Sequence, residues 1–334
     1  MNEHRQPTLE EVARLAGVGR GTASRVMNGS DHVSSRSREA VERAVRELGY
    51  VPNQAARSLK TRRTDTVALV IAEDEERVFA EPFFAGLVRG ISRAVDATSR
   101  RLVLSMVPDE SHLDRLGQFL TPQHVDGVMV VSLHDGLSLP DSPDLPIVYV
   151  GRPNDPRASF VDVDNHDGAR QAVDHLAASG RRRIACITGP QDMASGRDRL
   201  EGYREALDAA GLSFDGTLVE TGDFSDASGA RGAAALLERR PDLDAIFAAN
   251  DVMALGALRE LSRRGLSVPR DVALVGFDGS AAAAASNPVL TSVHQPLAAL
   301  GEALVEVLAR RIEEPGTAPE SVILDVELRA GESA

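Results

Sequence analysis

The sequence predicts a two-part chain: a small all-α head built on a helix-turn-helix unit, and an α/β core of parallel sheets covered by helices in two similar lobes. Three observations predict it. Residues 1–63 carry 12 Arg/Lys against 7 Asp/Glu, whereas the whole chain has a formal net charge of −13. A cap signal, an apolar stripe and a glycine-rich turn follow one another before Asn28. Beyond residue 64, short β-rich runs alternate with amphipathic stretches as far as Leu328. A basic head on an acidic body suits nucleic acid at one end only, because the acidic remainder repels a phosphate backbone.

The head reads as three helices. Thr8-Leu9-Glu10-Glu11 is a capping box, with the Thr8 hydroxyl at a helix start and Glu11 reaching back. Leu9, Val12, Ala13 and Ala16 recur at helical spacing, and Gly17 supplies the turn. A second helix runs from Arg20 to Met27 and stops at the C-cap pair Asn28-Gly29. A third spans about Ser35 to Leu48, with Val41, Ala44, Val45 and Leu48 inward. Arg20, Ser24, Arg25 and Asn28 fall on the outward face of the second helix, where a purely structural bundle needs no such set. Arginine can bond guanine O6 and N7 together, and serine and asparagine suit phosphates. The glycines from Gly17 to Gly21 follow a helix rather than a strand and lack G-x-G-x-x-G spacing, which excludes a dinucleotide fingerprint.

In the core, strands are expected at Val67–Ala72, Leu102–Val107, Gly127–Ser132, Ile147–Val150, Phe160–Val163, Ile184–Thr188, Ala245–Ala248, Val272–Gly276 and Val322–Leu328. Helices are expected at Phe83–Ala97, Ala169–Ala178, Leu200–Ala210, Ala227–Arg239, Val252–Arg263 and Leu297–Ile312. Alternation of this kind implies parallel sheets with helices on both faces, and a ligand beyond the carboxyl ends of the strands. The strand ends carry groups that suit a sugar: planar bidentate side chains for vicinal hydroxyls and aromatic faces for the C–H side of a ring. These are Arg152, Arg199, Asn250-Asp251, Asp278 and Phe224. Asp251 has a second reading as a helix cap, and each arginine a second reading as a solvated surface residue.

No P-loop, H-E-x-x-H or G-x-S-x-G stands in the sequence, and its eight histidines show no metal-ligand spacing. The expectation is a protein that is not an enzyme, with no cofactor and no metal. Val67–Ala72 is far too short an apolar run to span a bilayer, so no membrane partner is expected. The single cysteine, Cys186, sits in an apolar run, and Glu3, His4 and Arg5 interrupt any signal-peptide pattern. Both fit a cytoplasmic protein.

Thr8 to Ala13, Ser24-Arg25-Val26-Met27-Asn28 and Gly49-Tyr50-Val51-Pro52-Asn53 together resemble the lactose-repressor (LacI) family of transcriptional regulators. The resemblance continues through Gly189-Pro190, Arg199 to Tyr203, Ala249-Asn250-Asp251, Val275 to Asp278 and Thr291 to Pro296. Asp65 to Val70, Val78 to Gly86 and Gly189 to Met193 are similar to the branch that responds to cellobiose and cello-oligosaccharides.

That resemblance implies a periplasmic-binding-protein-like core of two Rossmann-like lobes, homodimeric and released from double-stranded operator DNA by a small sugar effector. It places a DNA-binding head at 1–52 and a hinge helix with linker at 53–63. In the core, 64–334, lobe 1 takes about 64–162 and 291–320, and lobe 2 about 163–290 and 321–330. Arg20, Gly21 and Arg25 would set base preference, with Thr22 beside them. Thr8, Ser24, Asn28, His32 and Asn53 would hold phosphates, while Ala56 and Leu59 belong to the hinge helix, whose leucine wedges into the minor groove. Because Gly21 lacks a side chain, reading leans on Arg20 and Arg25, which implies a pseudo-palindrome with G·C-rich half-sites. Phe83, Arg152, Arg199, Phe224, Asn250, Asp278 and Gln295 would contact the effector. Gly279 departs from a frequent second aspartate, and Ala281–Ala285 is a bare loop beside it. The six residues after Leu328 are too few for a tetramerising heptad repeat, hence the dimer. Another sugar, or a purine or nucleoside, stays open as the effector, as does the corepressor sign, in which the effector favours DNA binding. So does a sugar-binding protein without a DNA role.

Overall fold

The computed structural model describes residues 7–27, 30, 32–50, 63–132, 134–136 and 145–334. It divides into two compact units, Met1–Thr64 and Asp65–Ala334. Asn28, Asn53, Ala56 and Leu59, with the expected hinge helix, lie outside the described residues.

The first unit holds α1 (Leu9–Leu15), α2 (Arg20–Met27) and α3 (Ser35–Leu48). The capping box forms as expected: the Thr8 amide donates to Glu11 Oε2 at 2.7 Å and the Glu11 amide donates to the Thr8 hydroxyl at 3.3 Å. Val12, Ala13, Ala23, Val26, Val41 and Ala44 close a core from all three helices.

The second unit contains two six-stranded sheets. Its first part runs β1 (Thr66–Ile71), α4 (Glu75–Ala80), α5 (Pro82–Asp96), β2 (Arg101–Met106), α6 (Glu110–Gly117), β3 (Gly127–Val131), β4 (Ile147–Val150) and β5 (Ser159–Val163). Then come α7 (Asn165–Ala178), β6 (Ile184–Thr188), α8 (Ala194–Ala209), β7 (Val219–Thr221), α9 (Asp226–Arg239), β8 (Ala245–Ala248), α10 (Asp251–Arg263) and β9 (Ala273–Asp278). The chain finishes with α11 (Ala281–Ala284), β10 (Thr291–His294), α12 (Leu297–Glu313), β11 (Ser321–Leu324) and β12 (Glu327–Arg329). The sheets are ordered β11-β5-β4-β3-β1-β2 and β12-β10-β9-β8-β6-β7. Every pairing is parallel except β10 with β12. Central strands such as β3 and β6 are buried along their whole length, as helices on both faces require, whereas the edge strands β2 and β11 are half exposed.

Three expectations are corrected. The run Val322–Leu328 is not one strand. Ser321–Leu324 pairs with β5 in the first sheet, and Glu327–Arg329 pairs with β10 in the second, so the chain changes lobes at Asp325-Val326. Thr291–His294 pairs with β9, so it belongs to the second lobe, and both expected crossings, at 290/291 and 320/321, move by one strand. Ala281–Ala285 is not a bare loop: the Ser280 hydroxyl accepts from the Ala283 amide and starts a helical turn.

The helix pair α9 and α10 packs backbone to backbone. A Cβ on Gly256 would stand 2.1 Å from the Asp226 carbonyl oxygen, and one on Gly229 2.1 Å from the Met253 carbonyl oxygen. Neither oxygen can yield without moving its helix. Gly256→Ala is therefore expected to destabilise the core by about 1–3 kcal/mol, the range for overpacking. That would lower its melting temperature by roughly 2–4 °C per kcal/mol, read by calorimetry.

Candidate functional site

Between the two sheets of the core lies a cleft of about 850 Å³, counted to its open mouth. Its lining comes from the carboxyl ends of strands, where the chain leaves each sheet for a helix, and from the helices that face them. β3 delivers Ser132, β4 Arg152, β5 Asp162, β8 Asn250 and β9 Asp278, while Phe224 follows β7 and Gln295 follows β10. Phe83 and Glu81 come from the start of α5.

Arg199 on α8 is the organising side chain, only 5% exposed. Its Nε donates to Asn165 Oδ1 at 2.8 Å and its Nη1 to the Ala249 carbonyl. Its guanidinium carbon lies 3.7 Å from the Phe277 ring centroid and 5.7 Å from that of Phe224. Asp278 Oδ1 stands 4.0 Å from Nη1 and accepts from Gln295 Nε2 at 2.7 Å. Of five N–H donors, these contacts leave those on Nη2 for something in the cleft. A planar donor pair between two aromatic rings is what a vicinal diol on a sugar ring needs.

Asn250 has two duties. Its Oδ1 accepts from the Met253 amide at 2.8 Å, capping α10, and its Nδ2 donates to the Phe224 carbonyl at 3.0 Å. Asp251, for which a capping role was one expectation, is instead a brace. It accepts from the Ser280 amide at 2.7 Å and the Ser292 hydroxyl at 2.6 Å, and it takes no part in lining the cleft. Phe224 sits at φ 66° and Asp278 at φ 114°, both unusual for residues with a side chain. Strain of about 1–3 kcal/mol each, stored where side chains must be aimed, is a mark of binding sites. Space for the Phe224 ring depends on Gly189, whose Cβ would stand 2.3 Å from it. At Gly279 a Cβ would stand 2.6 Å from His294 Nδ1, so no second aspartate fits there.

All seven effector candidates from the sequence, Phe83, Arg152, Arg199, Phe224, Asn250, Asp278 and Gln295, line this one cleft. Arg152 is the most exposed of the arginines there and donates to both Asp198 oxygens, at 2.6 and 2.8 Å. Sequence reasoning missed Arg77, Glu81, Ser132, Tyr149, Asp162 and Asn165. Asp162 could have been found, since a carboxylate inside a run that reads as a buried parallel strand needs a reason. It accepts from the Val163 amide and from Asn165 Nδ2.

The cleft's acids are reluctant to ionise. Burial raises Glu81 to about 7 and Asp162 to about 6, against partial relief from Arg77 and Arg199 respectively. Burial also raises Asp278, with Arg199 opposing. The folded state thus holds protons that the unfolded chain has released. The stability from these groups is present at low pH and lost as pH rises through the folded values. The effector-free core is expected to melt a few degrees lower at pH 8 than at pH 6, roughly 2–4 °C per kcal/mol. A melting temperature that is flat or rising over that interval would contradict the assignment.

In the head, Arg20, Gly21 and Arg25 are exposed on α2, Thr22 and Ser24 are half-buried, and His32 is exposed. Arg20 Nε pairs with Glu10 Oε1 at 2.8 Å, and Arg25 Nε donates to the Gly21 carbonyl at 3.2 Å. The Thr8 hydroxyl is engaged by Glu11. Among the described residues no group of His, Cys, Asp and Glu is placed to hold a metal ion, and no helix is long and apolar enough to cross a membrane.

A three-helix DNA-reading head and a two-lobed core with a cleft of polar and aromatic side chains between its lobes define a ligand-responsive transcriptional regulator. The chain belongs to the LacI family of bacterial regulatory proteins. The model of the lacI family matches residues 8–53, and that of the periplasmic binding protein-like domain matches 173–334. The HTH-type transcriptional regulator CelR of Thermobifida fusca is 51% identical over 339 aligned residues, covering 100% of both chains. The ribose operon repressor of Escherichia coli K12 is 36% identical over 92% of this chain and 94% of its own. A solved complex of the transcriptional regulator CelR with cellobiose is 48% identical, covers 98% of this chain and 100% of its own, and has a TM-score of 0.77. The lac repressor dimer bound to operator and the anti-inducer ONPF is 28% identical over 98% and 99%, with a TM-score of 0.83.

Proposed function

We propose that this chain is a cytoplasmic homodimeric repressor of sugar-utilisation genes, and not an enzyme, that leaves its operator when cellobiose or a short cello-oligosaccharide binds between the lobes. The observation that carries this reading is the cleft itself, where Arg199 offers donors between Phe224 and Phe277, with Asn250, Asp278 and Gln295 around it. The likeness to CelR over the full chain supports the choice of sugar. Arg20 and Arg25 read a pseudo-palindrome with G·C-rich half-sites, Gly21 and Thr22 beside them. Thr8, Ser24, Asn28, His32 and Asn53 hold phosphates, and Ala56 and Leu59 sit at the operator centre. Sugar releases the DNA only through its stronger affinity for the lobe arrangement that DNA does not favour.

The experiment is fluorescence anisotropy of the full chain on palindromes from upstream of its own and neighbouring genes, with and without cellobiose. Salt-sensitive binding that cellobiose abolishes is the expected result. Binding that cellobiose leaves unchanged and ribose or a purine abolishes would keep the repressor and replace the effector.

A further inference from the structure

The mouth of the cleft carries polar contacts that join one lobe to the other. His134, after β3, lies between acids from both lobes: its Nε2 is 3.3 Å from Glu73 Oε1 after β1, and its Nδ1 is 2.9 Å from Asp192 Oδ2 after β6. The next residue crosses the same gap, since the Asp135 amide donates to the Asp192 carbonyl at 2.9 Å and its carboxylate meets Arg197 on α8 at 2.7 Å. From His134 the network runs inward. The Ser132 hydroxyl donates to Glu73 at 2.5 Å, and Arg77 bridges Glu73 at 3.2 Å and Glu81 at 2.9 Å. Ser132, Arg77 and Glu81 all line the cleft.

We propose that His134 is a positioning residue for the effector: it latches the first lobe to the second at the cleft mouth, and it does so as the imidazolium. This rests on the reading that a sugar binds between the lobes. A neutral imidazole has one N–H, so it can serve only one of two carboxylates and turns a lone pair toward the other; the imidazolium donates to both. Opening the lobes removes Asp192 and leaves Glu73. Closure therefore favours the proton and the proton favours closure, in equal measure. The hydrogen bond from Glu73 holds the His134 pKa above the ordinary imidazole value, and Asp192 adds to this while burial opposes it. The other charges around it are already paired: Arg77 with Glu73 and Glu81, and Arg197 with Asp135. The sign follows. The latch is fully formed below the open-state pKa of His134 and is lost as pH rises through its closed-state value.

The test has two arms on the full chain. In the first, the midpoint of His134 is followed by NMR on histidine-labelled, ligand-free protein. It is expected to fall in Asp192→Asn, and an unchanged midpoint overturns the latch whatever the effector is. In the second, cellobiose is titrated calorimetrically at pH 6 and pH 8, and at pH 7 in buffers of different ionisation enthalpy. Because the ligand-free lobes are latched only part of the time, the wild-type chain is expected to take up a fraction of a proton on binding and to bind about three- to tenfold more tightly at pH 6, a change matching up to one pKa unit at His134. Glu81 also titrates near the cleft, so the readout is the difference between wild type and His134→Gln. The variant should lose most of the uptake and slope, and equal slopes overturn the proposal. A chain that binds no cellobiose but passes the first arm keeps the latch and loses the effector assignment.

Discussion

Arg199→Ala is expected to make the protein blind to its effector while it still holds operator DNA. The substitution removes the donors that face the cleft and the cation that lies against Phe277. Two charge-assisted hydrogen bonds to a ligand are worth about 1.5–3 kcal/mol each, so the sugar affinity should fall by roughly a hundredfold or more. The damage does not stop at the ligand. Asn165 Oδ1 and the Ala249 carbonyl lose their donor, and Asp278, whose pKa burial already raises, loses the charge that opposes that rise. Breaking a buried pair costs about 3–5 kcal/mol, although Asp278 can recover part of this by staying protonated. Calorimetry with cellobiose should thus be read beside the melting temperature. Arg199→Lys is the control: it keeps the charge but not the planar fork, and an intermediate affinity is expected. A folded Arg199→Ala protein with the parent's cellobiose affinity would remove Arg199 from the site.

The same residue shows what the sequence could and could not convey. Asn250 and Asp278 were legible because each follows a β-rich run, and Arg199 because it precedes the helical run at Leu200, although the helix itself begins at Ala194; family resemblance implied their role. The partners that aim them were not. Asn165 holds the Arg199 guanidinium from 34 positions away, and nothing local to Asn165 announces it. His134, after β3, acquires meaning only when β1 in its own sheet and β6 in the other bring Glu73 and Asp192 to either side of it. Strand boundaries were legible to within a residue or two where runs are wholly buried, as in Ile184–Thr188. They failed at Val322–Leu328, where continuous β-propensity hid a change of sheet that only pairing partners define. The short helices α4 and α6 escaped because their Asp74 and Asp109 caps precede too few apolar residues to set a period.

The head permits the second large effect with almost no structural cost. Arg25 is exposed and makes one bond of 3.2 Å within its own helix, so Arg25→Ala should leave the melting of the head unchanged. On DNA, a bidentate arginine–guanine contact is worth about 1–3 kcal/mol of discrimination. A dimer makes each contact twice, so the operator affinity should fall by roughly 30-fold to 10⁴-fold. The loss should fall on the cognate palindrome and spare unrelated DNA, because base contacts carry sequence and phosphate contacts do not. The slope of affinity against salt should also stay near the parent's, whereas removing a phosphate-holding cation lowers it by about one. Arg20 differs in one respect, since it must surrender Glu10 to reach a base. An exposed pair is worth at most about 1 kcal/mol, so Glu10→Gln should tighten operator binding by only a few-fold. If Arg25→Ala weakened cognate and random duplexes alike, Arg25 would be a phosphate contact, and the expectation of G·C-rich half-sites would rest on Arg20 alone.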